Sequence, residues 1–234
     1  MPLCVLIPAL NEAEQLPRTL AGLARALPGV PVLVVENGCT DGTPALARRF
    51  GARVVSQPGR GYAATLGAGF RAALGGGFRR ALLLDADGQH PPESAPALLA
   101  ALEEADLCTG SRAGTASPGT LPRRAGNALL AAVVRAGSGA PLRDVMSGFW
   151  ALGPRALELF ATCFPLPGGA ADANVRVFAL RHGLRVVERP VFMPVRTGGD
   201  SMHSGLPGAR NFAVSALSLA LVLRDRTPGA APRG

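Results

Sequence analysis

Lysine is absent: all 24 basic residues of this 234-residue chain are arginine. No lysine is available for a Schiff base or for the phosphate-cradling loop of a P-loop protein. Aromatics are scarce, 5% of residues with one Trp and one Tyr, which argues against a surface that stacks successive bases on rings. Charged residues reach only 17% against 48% hydrophobic, the reverse of a disordered chain. No apolar run attains the roughly 18 residues of a bilayer span. Cys4, Cys39, Cys108 and Cys163 share no short spacing, so no zinc motif is present and the cysteines read as reduced thiols. The opening MPLCVLIPALNE lacks the basic stretch and cleavage site of a signal peptide, and a cytoplasmic location is expected.

What is present is charge of one sign and an alternating pattern. The net charge is +8, with arginines scattered and not in one block. That distribution favours small phosphate-bearing ligands or an anionic membrane surface over nucleic acid. Short apolar runs at 3–8, 31–36, 53–56, 80–85 and 107–109 read as buried strands. Leu16, Leu20, Leu23 and Leu27 recur at helical spacing, Thr43-Pro44 reads as an N-cap followed by proline, and helices are expected over 61–74 and 93–104. Strands separated by helices imply right-handed crossovers and a mainly parallel sheet in one Rossmann-like α/β domain. Beyond residue 110 the pattern loosens. Helices are expected over 124–136, 154–161 and 173–182, and a proline-interrupted edge strand over 185–195. The apolar helix 211–223, between Arg210 and Arg224, is too short to span a bilayer. It is read as a cap on the core or a membrane-surface helix.

Four polar clusters fall at strand ends. Asp85-Ala86-Asp87-Gly88-Gln89 ends the fourth strand, and paired carboxylates there can hold a hard cation beside substrate phosphates. The same residues also suit a solvated turn. Glu36 can accept hydrogen bonds from a base or ribose, or be an ordinary strand-end carboxylate. Glu12 is either a ligand-binding residue or a first-turn helix acid. Arg112 can pair with phosphate through its fork, and Asp144 precedes a Ser-Gly-Phe turn. Gly59-Arg60-Gly61-Tyr62-Ala63-Ala64 also fits a dinucleotide fingerprint, with Asp85 downstream. That spacing keeps an NAD(P)-dependent oxidoreductase open as an alternative, although the fingerprint normally follows a first strand.

In order along the chain, VLIPALNEAEQL, VVENGCTDGT, GRGYAATLGAGFRAAL, LLLDADGQHPPE, GSR, DVMSGFWAL and VVERPVFMPVRTGGDSMHSG resemble the family 2 glycosyltransferases of GT-A fold. The resemblance lies with the dolichol-phosphate mannosyltransferase-like, polyprenyl-phosphate branch. It covers about residues 3–210 and implies a catalytic domain over 1–210, followed by an apolar helix and disordered tail over 211–234. It implies a UDP- or GDP-linked sugar donor and Mg²⁺ or Mn²⁺. Pro8, Leu10, Glu12, Glu36, Arg60, Asp85, Ala86, Asp87 and Arg196 would hold the nucleotide-sugar. Asp85, Asp87 and Gln89, with His203, would hold the metal. Arg112, Arg123 and Arg124 would bind a phosphorylated or lipid-phosphate acceptor, with peripheral membrane contact. Asp144 would be the catalytic carboxylate for a hydroxyl acceptor. Glu36-Asn37 replaces the family's usual aspartate pair, Met202 its Ser-Lys lysine, and Asn174 a common glutamate. Those departures keep a non-catalytic nucleotide-sugar binding module in view.

Overall fold

A computed structural model describes residues 1–57, 61–166, 171, 173–194, 214, 216, 217, 219 and 220, apart from the side chain of Arg123. Among the described residues seven strands form one sheet: β1 (Leu3–Ala9), β2 (Val32–Glu36), β3 (Arg53–Ser56), β4 (Arg80–Leu83), β5 (Leu107–Ser111), β6 (Trp150–Leu152) and β7 (Val186–Pro190). Their order is β3-β2-β1-β4-β6-β5-β7. All neighbours are parallel except those of β6, which runs antiparallel between β4 and β5. The mainly parallel α/β sheet expected from the sequence is therefore the one observed, with β7 at an edge.

The helices are α1 (Leu16–Ala26), α2 (Thr43–Arg49), α3 (Gly61–Gly75), α4 (Ala95–Ala100), α5 (Leu121–Ser138), α6 (Pro154–Cys163) and α7 (Ala173–Arg181). Strand alternation sorts the core into two layers, because successive side chains leave a strand on opposite faces. Cys4 and Leu6 of β1 join the cluster that holds Phe70 of α3 and Phe160 of α6. Val5, Ile7 and Ala9 join Leu16, Leu20 and Leu23 of α1 on the other face.

Three local expectations are corrected. Thr43 is the first residue of α2 and Gly42 its N-cap. The threonine hydroxyl instead accepts the backbone N–H of Glu12 at 2.9 Å. The segment 93–104 is not one helix: 3₁₀ turns at 92–94 and 101–103 flank the six residues of α4. Pro92 cannot donate to a helical ladder, and this favours the tighter opening turn. Glu12 lies ahead of α1, whose first turn carries no acid, so its carboxylate is not a helix-dipole partner there. In the tail, Leu219 is 2% exposed and belongs to the same core cluster as α3 and α6. The expected domain boundary at 210 and the loop over 197–209 lie outside the described residues.

Candidate active site

Topology gathers the polar clusters. Register pairs Ala9 with Glu36, and Glu36 with Ser56. Leu6 pairs with Leu83, so the chain leaves β1, β2 and β4 at one edge of the sheet. Because β6 is antiparallel, with Trp150 opposite both Leu83 and Thr109, the segment entering it arrives at that same edge. The end of β5 delivers Arg112 there. Ligand sites of α/β sheets lie at such carboxyl ends.

On the β1–β2 side the two loops are laced together. Asn11, held at φ 55°, accepts the N–H of Thr40 through Oδ1 at 2.8 Å. Asp41 accepts the N–H of Ala13 at 3.0 Å through Oδ2 and that of Thr43 at 3.0 Å through Oδ1. Glu36 accepts the N–H groups of Gly38 at 2.8 Å and Cys39 at 3.0 Å on Oε2, and the Ser56 hydroxyl on Oε1. The Ser56 hydrogen bond holds this carboxyl below its ordinary range; burial opposes it, and the two backbone donors and the charge of Arg48 add to it. Glu36 is thus an oriented anion at the strand end, braced by its own loop. Pro8 is buried within β1, and Leu10 is 47% exposed. Asp41 and Thr43 carry the loop lacing, a role that the sequence did not reveal.

The Asp85–His90 turn is fixed atom by atom. Ala86 is 1% exposed, and its carbonyl accepts the Thr19 hydroxyl at 3.1 Å. Asp87 is 7% exposed and accepts the N–H of Gln89 on Oδ1 at 3.0 Å. Gly88 sits at φ 77°, a backbone conformation that glycine adopts at little cost. Gln89 donates its amide to the Pro194 carbonyl at 3.3 Å. Asp85 accepts the Tyr62 hydroxyl on Oδ1 at 3.2 Å. Gly148 approaches from the segment entering β6. A Cβ there would stand 3.3 Å from Asp85 Oδ2 and 3.4 Å from the Tyr62 hydroxyl, so a larger residue would press the carboxylate aside by a few tenths of an ångström.

Sequence reasoning missed His90. It is 5% exposed, stacks on Phe149 at a centroid distance of 5.2 Å, and accepts the N–H of Asp85 on Nδ1 at 2.9 Å. Burial pushes its imidazole down to about 4, with Asp87 and Asp144 opposing and Arg112 reinforcing. The ring is therefore neutral at pH 7, with Nδ1 as acceptor. Its place directly after Asp-Ala-Asp-Gly-Gln was the available signal.

Beside it lies a buried ion pair. Asp144 is 0% exposed. Arg112 donates Nε to its Oδ2 at 2.7 Å, Nη2 to its Oδ1 at 2.8 Å, and its backbone N–H to Oδ2 at 2.9 Å. Burial pushes the Asp144 carboxyl up, but the hydrogen bonds and charge of Arg112, with the charge of Arg176 behind them, outweigh it and leave it below its ordinary value. A buried carboxylate with both oxygens taken by a guanidinium is a poor proton acceptor. The geometry makes Asp144 the anchor of Arg112, with both carboxylate oxygens engaged by the guanidinium. The fork of Arg112 is correspondingly fixed along the edge that Asp144 holds.

Arg176 on α7 is a second residue the sequence did not flag. It is fully buried, lies 5.2 Å over the Trp150 ring, and donates Nη2 to the Ser147 carbonyl at 2.5 Å. Trp150 Nε1 donates to the same carbonyl at 2.6 Å, so the turn carrying Gly148 is held from behind. Asn174 is also fully buried on α7. Arg124 is exposed in the first turn of α5. Arg60, Arg196 and His203 lie outside the described residues, as does the side chain of Arg123.

Comparison with known proteins places this geometry. The glycosyl transferase family 2 model matches residues 4–172. The undecaprenyl-phosphate mannosyltransferase of Micrococcus luteus is 33% identical over 88% of this chain and 88% of its own. The polyprenol monophosphomannose synthase of Mycolicibacterium smegmatis is 32% identical over 86% of this chain and 80% of its own. Among solved structures, glucosyl-3-phosphoglycerate synthase from Mycobacterium tuberculosis, in complex with Mn²⁺, UDP and phosphoglyceric acid, superposes with a TM-score of 0.71. It is 22% identical and covers 97% of this chain and 80% of its own. A match of this extent leaves no place for the oxidoreductase alternative, whose glycine-rich motif follows the edge strand β3 in sequence. The chain belongs to glycosyl transferase family 2.

Proposed function

We propose that this glycosyltransferase moves a hexose from a UDP- or GDP-linked donor to a polyprenyl phosphate, with Mg²⁺ or Mn²⁺ at the Asp85–Asp87 turn. The observation that carries the reading is the shared sheet edge, with an Asp-x-Asp turn on one side and a pre-oriented arginine on the other. The names of the relatives at 33% and 32% identity support the lipid-phosphate acceptor.

The residues fit the metal. No cluster of three His, Cys, Asp or Glu side chains forms a cage among the described residues, and Mg²⁺-type ions need none. They use one or two carboxylates plus substrate phosphates. Asp85 and Asp87 supply the carboxylates. Gln89 commits its amide nitrogen to Pro194, which leaves its oxygen as the donor for a cation. His203 is retained as a further ligand, and Arg60 and Arg196 as partners of the donor phosphates. When bound, the ion neutralises charge on the departing nucleoside diphosphate.

The acceptor side needs no strong base. A phosphate oxygen is already anionic and can attack the anomeric carbon in a single displacement, with inversion. Arg112, held by Asp144, with Arg123 and Arg124, would bind and orient that phosphate. Glu36, Glu12, Pro8 and Leu10 would line the nucleoside end, with Ala86 beside the diphosphate.

A thermal-shift panel with UDP, GDP and their hexose conjugates, with and without Mn²⁺, tests the donor. A ligand at 100 times its Kd stabilises by about 2.7 kcal/mol, a rise of roughly 5–10 °C for a chain this size. One diphosphate should give that shift only with Mn²⁺, and transfer to a polyprenyl phosphate should follow. Metal-dependent binding with no glycolipid product would identify a binding module instead. Loss of every nucleotide effect would remove the donor reading.

His90 supplies a second test. His90→Phe keeps the stack on Phe149 but removes the acceptor for the Asp85 N–H, and should weaken Mn²⁺ binding about tenfold, the scale of an outer-shell change. His90→Asn places an oxygen where Nδ1 stood and should recover most of the affinity. Paramagnetic resonance of free Mn²⁺ reads both. Equal affinity in all three proteins would show that the imidazole does not position Asp85.

A further inference from the structure

We propose that α5 seats this enzyme on an anionic lipid surface through the helix face turned away from its core contacts, a reading that rests on the lipid-phosphate acceptor proposed above. Leu130, Ala131 and Val134 bury one face of α5 in the core. Directly opposite, Leu121 is 81% exposed, Leu129 61% and Val133 39%. Ala125, Ala128, Ala132 and Ala136 are exposed as well. At 3.6 residues per turn the exposed apolar positions, Ala128 aside, share an arc of about 120°; Ala128 lies just outside it. A surface helix of a soluble domain normally turns charge to water on that side, and contiguous apolar exposure of this kind marks an interaction surface.

Charge selects the occupant. Residues 113–143 contain no Asp or Glu, and their charged residues are Arg123, Arg124, Arg135 and Arg143. Arg124 and Arg135 are exposed along one margin of the apolar arc. A second copy of the chain would meet this patch with itself across a two-fold axis. Arginines would then approach arginines, with no acid in the segment to offset them. A membrane rich in anionic headgroups offers both partners: acyl chains for Leu121, Leu129 and Val133, and phosphates for the arginines. No helix among the described residues is long and apolar enough to cross a membrane. The tail helix expected as a surface candidate turns Leu219 and Ala216 toward the core. The loop over 113–120 links the start of α5 to Arg112, so a bilayer under α5 would bring a lipid phosphate to the acceptor side of the site.

Co-sedimentation with phosphatidylglycerol–phosphatidylcholine vesicles tests this, on the full chain and on Leu129→Asp/Val133→Asp. The wild type should bind the anionic vesicles, bind pure phosphatidylcholine at least tenfold more weakly, and release with salt. The double variant should lose at least tenfold in partition. It should keep its melting temperature, its nucleotide-dependent thermal shift and its turnover of a short, water-soluble prenyl phosphate. Arg135→Glu should lose severalfold. Wild type that ignores anionic vesicles, or a double variant that binds them equally, overturns the proposal. So does a double variant that melts much lower or changes mass in solution, since the face then packs against protein. Vesicle binding intact with no prenyl-phosphate turnover would instead remove the acceptor reading and leave the surface standing.

Discussion

Asp87→Ala is expected to lower kcat/KM by about a thousandfold and to abolish the Mn²⁺-dependent part of donor binding. The magnitude follows from the several kcal/mol that a Lewis-acidic ion contributes to a developing diphosphate charge, at about 1.36 kcal/mol per factor of ten. Asp87 is 7% exposed and accepts the N–H of Gln89. Truncation therefore removes the carboxylate proposed to face the cation and loosens the neighbouring amide together. Asp87→Asn separates the two effects, because its side-chain oxygen can still receive Gln89 while the negative charge is gone. If charge toward a cation is the function, the Asn variant should be nearly as impaired as the Ala variant, with an unchanged melting temperature. Steady-state kinetics over a Mn²⁺ titration measure this. An Asn variant with wild-type kinetics would move the cation away from Asp87.

The strand-end clusters were legible because parallel strands place their carboxyl ends together, and short apolar runs show where those ends lie. Asp85, Asp87 and Glu36 could be located from that rule alone. Partners across the sheet could not. Whether Asp144 meets an acceptor or Arg112 depends on β6 running antiparallel between β4 and β5, and the three residues Trp150–Leu152 carry no signal of direction. Only the fold brings the carboxylate of Asp85 to 3.3 Å from where a Cβ of Gly148 would stand. Nothing in the sequence marks Arg176 for burial, since arginine is seldom fully buried. Its burial follows from a ring and a carbonyl that come from a different part of the chain. Local chemistry was readable; long-range pairing that assigns each group one task was not.

That pairing makes Arg112→Ala the second large prediction. Removing one partner of a buried ion pair leaves the other charge without compensation, at a cost of about 3–5 kcal/mol. Here the group left behind is Asp144, at 0% exposure, whereas the arginine side chain is 22% exposed. Asp144→Ala should therefore cost less than Arg112→Ala, because the guanidinium it strands can reach water. The pH dependence should also reverse. In the wild type the Asp144 carboxyl lies below its ordinary value, so the unfolded chain binds more protons across that window. The pair's stability is then complete above the ordinary Asp range near 3.9 and is lost as pH falls through the folded value. Without Arg112, burial dominates and raises the carboxyl above that range, so the folded state holds the extra proton. Stability of the variant should then decline as pH rises from about 4 toward neutrality, where the wild type gains or holds. Urea midpoints from pH 4 to 7 on both proteins measure the two slopes. Parallel slopes would show that Asp144 does not depend on Arg112 for its charge. Opposite slopes would show that this acid is kept ionised by one arginine, whose guanidinium its two carboxylate oxygens hold in place.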